Sequence, residues 1–548
     1  MKKLTLVLLA SSAFAAGEDS LKINQPVEHD LTAGSPQRYE IRLNADDYTS
    51  GSIEEHGKVD LAVFLPDGSL LRRFPGDAND ETRLFGFMAE TAGTYRLELT
   101  TTADRPTWYR IRLNETLSLN ERLKPAPEQY ASHRIAALRK QIASGRTDTE
   151  AFWKEVAATG TPLVEPVTND SKQQLVTFLW RAVTETRNVL VVGSFQLGGS
   201  SPLDYAMHRL ADTDVWYLTV RLPAGARFAY ALSPNDPLRV EGPDAELERQ
   251  ATRRADPLNQ HRWSCRPGAS KYACLSMVEL PGAAPQPWIV KNPAIPAGHV
   301  EKQKIRSELL KNEHNLSVYT PPGYKAVGNP YALLVVFDED AYLDRVPTPV
   351  ILDNLIAASK IPATVAVLIA NPSQESRNKE LPPNPDFADF LAKELVPWIH
   401  SHYHVTSDPR LTVVGGSSYG GIAATFAGLR HPEVFGGVLC QSGSFWWAPD
   451  HTFDSGTSTE TGWLAKQFVK SPKLALKFYI DAGSFEFDSG GNGGGILEPS
   501  RHMRDVLLAK GYEVHYQQFV GGHDYLSWRG TFADGLLALI GRAPASSQ

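Results

Sequence analysis

Cysteine is scarce in this chain, with three residues in 548, and no two of them form a C-x-x-C pair. That excludes the thiolate metal sites such pairs build. No block of Lys and Arg is long enough to track a phosphate backbone, and the formal net charge is −7. Nucleic-acid binding is therefore not expected. Beyond the first residues no apolar run approaches the length of a membrane span. His400, His402 and His404 are closely spaced, but alternate residues at a helix end point to different sides, so three imidazoles should not converge. No metal and no cofactor is expected.

The chain begins MKKLTLVLLASSAFAAGEDS. Lys2 and Lys3 form a charged start, and residues 4–10 a short apolar stretch. Ala13 and Ala15 put small residues where a signal peptidase reads. Residues 1–15 are therefore expected to be a cleaved leader, and the mature protein periplasmic or secreted. Losing Lys2 and Lys3 takes the formal charge from −7 to −9. In an oxidising compartment Cys265 and Cys274, nine apart with Pro-Gly between them, are expected to close a disulfide loop. Cys440 lies in an apolar run and reads as a buried thiol.

The length suggests several domains, and the patterns divide it. Over residues 19–114 apolar and polar residues alternate. Tyr39, Ile41 and Leu43 do so, as do Tyr95, Leu97 and Leu99. Turn sequences punctuate the runs, which predicts an antiparallel β-sandwich. Residues 115–160 carry helical spacing and read as a connector. Residues 161–290 return to strands, and residues 291–548 alternate strands with helices, an α/β signature.

The most informative stretch is 411–424, LTVVGGSSYGGIAA. A β-prone run meets Gly416-x-Ser418-x-Gly420 and then a helical sequence, which is the pattern of a nucleophile elbow. The turn is so tight that the flanking glycines remove colliding side chains. The Ser418 oxygen then stands near a helix N-terminus, and the Tyr419 N–H is a candidate oxyanion donor. A base should follow the last strand. Residues 512–519 alternate as a strand, and Gly521-Gly522-His523 breaks it, leaving His523 on a loop at the carboxyl end. An acid should lie between the two. Glu486, just past the apolar strand 476–483, is the first candidate, with Asp481, Asp488 and Glu498 as competitors. Trp446 and Trp447, after a strand end beside the elbow, are either core or a rim for an aromatic substrate. Arg377, in a polar loop, is either solvated or a holder of an anionic or phenolic group.

GGSSYGG, SGSFWW (442–447), AGSFE (482–486) and GGHDYLSWRG (521–530) together resemble the enterochelin esterase family, a group of serine α/β-hydrolases related to feruloyl esterases. The resemblance spans roughly residues 161–541. It implies an α/β-hydrolase catalytic domain, a mostly parallel sheet flanked by helices, preceded by two β-sandwich-like domains. The second of these would help to shape the substrate site. The first loosely resembles a prepeptidase C-terminal type module. The resemblance carries Ser418 over as nucleophile, His523 as base and Glu486 as acid. It also implies that the loop after strand 331–337 supplies an oxyanion N–H. The family often reads Asp-Gly-Glu there, and this chain reads Asp338-Glu339-Asp340, so Glu339 is the candidate. The activity implied is hydrolysis of a catecholate siderophore ester, with a small-molecule partner that is a ferric siderophore or its iron-free form. A feruloyl or acetyl carbohydrate esterase is the alternative. A non-catalytic binder working through residues 19–114 is the second alternative.

Overall fold

The computed structural model describes residues 19–76, 82–196, 201–210, 212–238, 245–265, 274–449, 462–487 and 495–542. The expected leader and Asp488 lie outside the described residues. The chain divides into two compact units: residues up to Lys124 with Pro237–Glu248, and the remainder from Pro125 onward.

In the first unit the alternation becomes two sheets, one of five strands and one of four. Gln37–Leu43 pairs antiparallel with Gly93–Thr100, so Tyr39, Ile41 and Leu43 share a buried face with Tyr95, Leu97 and Leu99. Tyr109, Ile111 and Leu113 of the other sheet complete the same core. Tyr39 and Tyr109 join their hydroxyls across it at 2.6 Å. The period-two pattern thus does what a sandwich needs, one face in and one face out.

The second unit opens with helices His133–Ala143 and Glu150–Thr159. They were expected only to connect. Their Ile135, Leu138, Trp153 and Val156 instead form one core with Leu163, Leu179, Val215 and Tyr217 of the strands that follow. Thr149 and Trp153 both donate to Asp214, at 2.6 and 3.0 Å. Two four-stranded sheets follow. Asp170–Arg181 and Val215–Pro223 centre the first; Val189–Gly193, Arg227–Pro234 and Leu275–Glu279 form most of the second. Phe178, Phe195, Phe228 and Tyr230 pack between them.

The rest of this unit is built on an eight-stranded sheet. Its strands in chain order are β1 (His299–Arg306), β2 (Glu313–Thr320), β3 (Ala332–Phe337), β4 (Thr364–Ile369), β5 (Thr412–Ser417), β6 (Gly437–Gln441), β7 (Lys477–Gly483) and β8 (Glu513–Phe519). The spatial order is β1-β2-β4-β3-β5-β6-β7-β8. β1–β2 and β2–β4 pair antiparallel, and all later pairs are parallel. The central strands are apolar on both faces because helices cover both. Val335 and Val414 enter one core, Val336 and Val413 the other. This is the α/β-hydrolase fold. Its parallel strands bring the carboxyl ends of β3, β5, β6, β7 and β8 to one edge.

The helical stretch from Pro385 to His402 is interrupted. Pro385–Phe390 and Val396–His402 are joined by a π turn, Leu391–Leu395. Pro397 removes a donor there, and the widened turn accommodates the loss. The histidines beyond it diverge. His402 stacks on Trp398 with ring centroids 4.3 Å apart, while His404 Nε2 lies 2.7 Å from the Gly328 carbonyl.

Candidate active site

Ser418 follows β5 and caps the helix Tyr419–Arg430 with φ 58° and ψ −121°. A non-glycine residue in that region carries strain of order 1–3 kcal/mol and persists only where its surroundings hold it. They do so here. The Ser418 N–H donates to the Gln441 carbonyl at 2.9 Å, and the Ser418 carbonyl accepts from Gly421, Ile422 and Ser444. Gln441 is fixed in turn by Tyr342, Thr531 and the Trp528 carbonyl. The glycines are sterically required. A Cβ on Gly416 would lie 2.9 Å from the backbone of Gly420, and one on Gly421 would lie 2.9 Å from Cys440 Sγ. Ser418 Oγ faces a cavity of about 800 Å³, with Ser444 Oγ 3.5 Å away. The first N–H groups of the helix, beginning with Tyr419, have no carbonyl one turn earlier and favour negative charge at this point.

His523 stands on the same cavity. Its Nδ1 hydrogen-bonds Glu486 Oε1. Glu486 is held by a tight turn after β7, and its side chain is 1% exposed. Its other oxygen accepts from the Gly483 N–H and, at 2.8 Å, from Ser442 Oγ. Trp528 Nε1 donates to Ser442 Oγ at 2.9 Å. The same indole meets the His523 ring edge-on, with centroids 4.8 Å apart and planes at 87°. Both acid and imidazole are thus gripped by one tryptophan. His523 and Ser418 make no direct hydrogen bond in this structure; such bonds are often long until substrate is bound.

The other carboxylates are elsewhere. Asp481 is buried within β7, where its Oδ1 accepts from the Ser442 N–H at 2.9 Å. Burial, with Glu486 nearby, pushes its carboxyl up to about 8, so it is mostly protonated at neutral pH. Glu498 is exposed and pairs with Arg501.

Glu339 begins the helix Glu339–Asp344 after Asp338, which sits at φ 57° and ψ 55°. Glu339 is among the residues lining the cavity, and its carboxylate is drawn to Lys302 and Ser317. Arg377 lines the cavity too, partly exposed, but its guanidinium is paired rather than free. It grips both oxygens of Asp338 at 2.7 and 2.8 Å, with Asn371 alongside at 2.6 Å. That clamp braces the left-handed turn before Glu339. Arg345 lies 4.0 Å over the Tyr525 ring in the same cavity and makes no ion pair with the described residues.

Trp446 and Trp447 do not line this cavity. The turn after Ser444 carries them away, Trp446 against Tyr419 at 5.9 Å and Trp447 edge-on to Trp463 at 5.5 Å. Trp446 borders a separate cavity of about 410 Å³. Cys265 and Cys274 are disulfide-bonded. Cys440 is free and buried, and burial pushes its thiol up. Sequence reasoning missed the roles of Ser442, Trp528 and Asp338. The only signals for the first two were SGS after β6 and WRG after the His523 loop.

The iron(III) enterobactin esterase of Dickeya dadantii is 30% identical to this chain, over 73% of the chain and 94% of that protein. The chain belongs to the enterobactin esterase family. The family described as "Enterochelin esterase, N-terminal" matches residues 175–289, and that described as "Putative esterase" matches residues 307–539. The iron(III) salmochelin esterase of Escherichia coli is 29% identical over 74% of this chain and 98% of that protein. Among solved structures, the ferric enterobactin esterase of Salmonella typhimurium superposes with a TM-score of 0.59 at 27% identity, over 71% of this chain and 98% of that one. The Shigella flexneri enterobactin esterase, crystallised in the presence of enterobactin, gives 0.57 at 28% identity, over 71% and 97%. This family member is an ester hydrolase.

Proposed function

We propose that the protein is an exported serine esterase that cleaves the ester bonds of a catecholate siderophore, enterobactin or its ferric complex, and so lets the iron go. The observation that carries this reading is the Glu486–His523 hydrogen bond facing the cavity that also holds the strained Ser418. Ser418 attacks the ester carbonyl. His523 takes its proton and passes it to the leaving alcohol. Glu486 fixes the imidazole tautomer and stabilises the imidazolium. The Tyr419 and Glu339 N–H groups receive the oxyanion. Water then repeats the sequence on the acyl-enzyme.

The substrate class rests on the relatives and on the cavity. At about 800 Å³ it accommodates a large ligand. Arg345 offers it a cation for the negative charge of catecholates. Export rests on the leader pattern of residues 1–15. The test is product analysis with enterobactin, ferric enterobactin and methyl ferulate side by side, with Ser418→Ala as control. Cleavage of the siderophores at rates well above methyl ferulate is expected. Preference for the ferulate refutes the substrate assignment. N-terminal sequencing of protein from the cell envelope tests export; an intact Met1 there refutes cleavage after Ala15.

A further inference from the structure

The β domain preceding the catalytic sheet touches the triad's supports directly. His523 sits on the loop after β8, and the β domain supplies several of that loop's anchors. The Arg227 N–H donates to the Val520 carbonyl at 3.0 Å, and Arg227 bridges Gly521 as a one-residue extension of the sheet. Gly522 runs so close to residue 194 that an added Cβ would lie 1.6 Å from the Ser194 carbonyl oxygen. Asp524, next to His523, is half-buried where the two domains meet. Its Oδ1 caps the helix Tyr525–Ile540, accepting from Leu526 at 2.8 Å and Ser527 at 3.2 Å. Its Oδ2 turns the other way and accepts from Ser194 Oγ and from the Ala229 N–H at 3.4 Å.

The acid turn is tied to the same body. Phe485, beside Glu486, belongs to the β domain's own core with Phe178, Phe195 and Phe228, and Val520 packs on that core. The Phe485 N–H donates to the Gly521 carbonyl at 3.0 Å, linking acid turn and base loop.

We propose that the β domain is part of the catalytic machinery and not only a wall for the substrate: Ser194 is a positioning residue that, through Asp524, holds His523 in register with Glu486. The inference rests on Ser418, His523 and Glu486 acting as the triad. Ser194→Ala deletes one of the two β-domain donors to Asp524 Oδ2 and leaves Ser418, His523 and Glu486 themselves unchanged. A looser imidazole is lost transition-state geometry, which appears in kcat.

The experiment compares full-length wild type, Ser194→Ala and Ser194→Thr on p-nitrophenyl butyrate and on enterobactin, with circular dichroism as the fold check. Ser194→Ala is expected to lower kcat about tenfold on both substrates with KM for the small ester within about twofold. Ser194→Thr keeps the hydroxyl and is expected to recover most of the rate. Asp524→Asn is a second route to the same signature, because Asn still caps the helix while its amide nitrogen faces the Ala229 N–H. A loss confined to enterobactin, a loss expressed in KM, or no loss at all overturns the proposal. Ser418→Ala and His523→Ala run alongside: if they keep activity the triad itself is wrong, and if they lose it while Ser194→Ala does not, only the positioning role falls.

Discussion

Replacing Glu486 with Gln changes one atom, and the surrounding donors decide which way the amide lies. At the Oε2 position the group receives the Gly483 N–H and the Ser442 hydroxyl, and that hydroxyl is already taken as an acceptor by Trp528. An NH2 there would oppose the Gly483 N–H and leave buried donors unpaired, at about 1–3 kcal/mol each. The amide oxygen therefore takes that place and the NH2 turns toward His523 Nδ1. Nδ1 must then accept, the ring proton moves to Nε2, and the imidazole no longer has a lone pair to take the Ser418 proton. The wrong tautomer in a comparable triad costs about 10⁴ in kcat, so Glu486→Gln is expected to lower kcat by roughly 10³–10⁴. KM should change little, because Glu486 meets no substrate. Initial rates on p-nitrophenyl butyrate with the purified, folded variant measure this. A kcat within tenfold of wild type refutes Glu486 as the orienting acid.

Ser418→Ala and His523→Ala are each expected to lower turnover by roughly 10⁴ or more with the fold intact; either variant within tenfold of wild type in a folded state rejects the triad. Asp481 carries its proton up to about pH 8 in the folded protein against 3.8 as its ordinary value. The folded state therefore binds the extra proton in between, and stability falls as pH rises through that window by up to about 1.4 kcal/mol per unit. Asp481→Asn should flatten the decline between pH 5 and 8 in denaturant titrations and leave kcat nearly unchanged; a steeper decline or a lost kcat refutes this. Peptide mapping without reduction should find Cys265 joined to Cys274 and Cys440 unreactive to alkylation until unfolding; free Cys265 and Cys274 thiols would count against the bridge. A chain starting at Thr161 should unfold at lower denaturant than one starting at Pro125. It exposes the partners of Ile135, Leu138, Trp153 and Val156, at about 1.5–3 kcal/mol per buried side chain. Equal midpoints would mean the two helices contribute nothing.

The sequence by itself determined the elements whose physics is local. Alternation specified the strands of the first sandwich, because a half-buried strand has period two. Unbroken apolar runs specified β3, β5 and β6, because both faces are covered. The elbow was legible because five consecutive residues set its backbone; the structure shows that the close approach demands glycine at 416, while a Cβ at 420 would meet only ordinary contacts from 3.5 Å. His523 was legible because a Gly-Gly break after an alternating run marks the end of a strand.

Tertiary structure decided what depended on residues far apart in the chain. Four carboxylates were eligible to orient His523, and proximity in sequence did not rank them. Glu486 reaches the imidazole because β7 and β8 are neighbours and a turn at Gly483 bends its side chain back. Asp481, five residues earlier, points instead into the core. Arg377 read either as solvated or as a holder of an anionic or phenolic group because its partner Asp338 is 39 positions away. Trp446 and Trp447 read equally as core or as a rim because nothing local reports the turn after Ser444. Helical spacing in residues 133–159 could not say whether the helices pack or merely connect, since that depends on an apolar patch formed by later strands. The Ser194–Asp524 contact spans 330 positions. Short-range pattern fixes backbone conformation and the buried face of each element, but the choice among chemically equivalent side chains is made by strand order and loop packing, which exist only once the chain has folded.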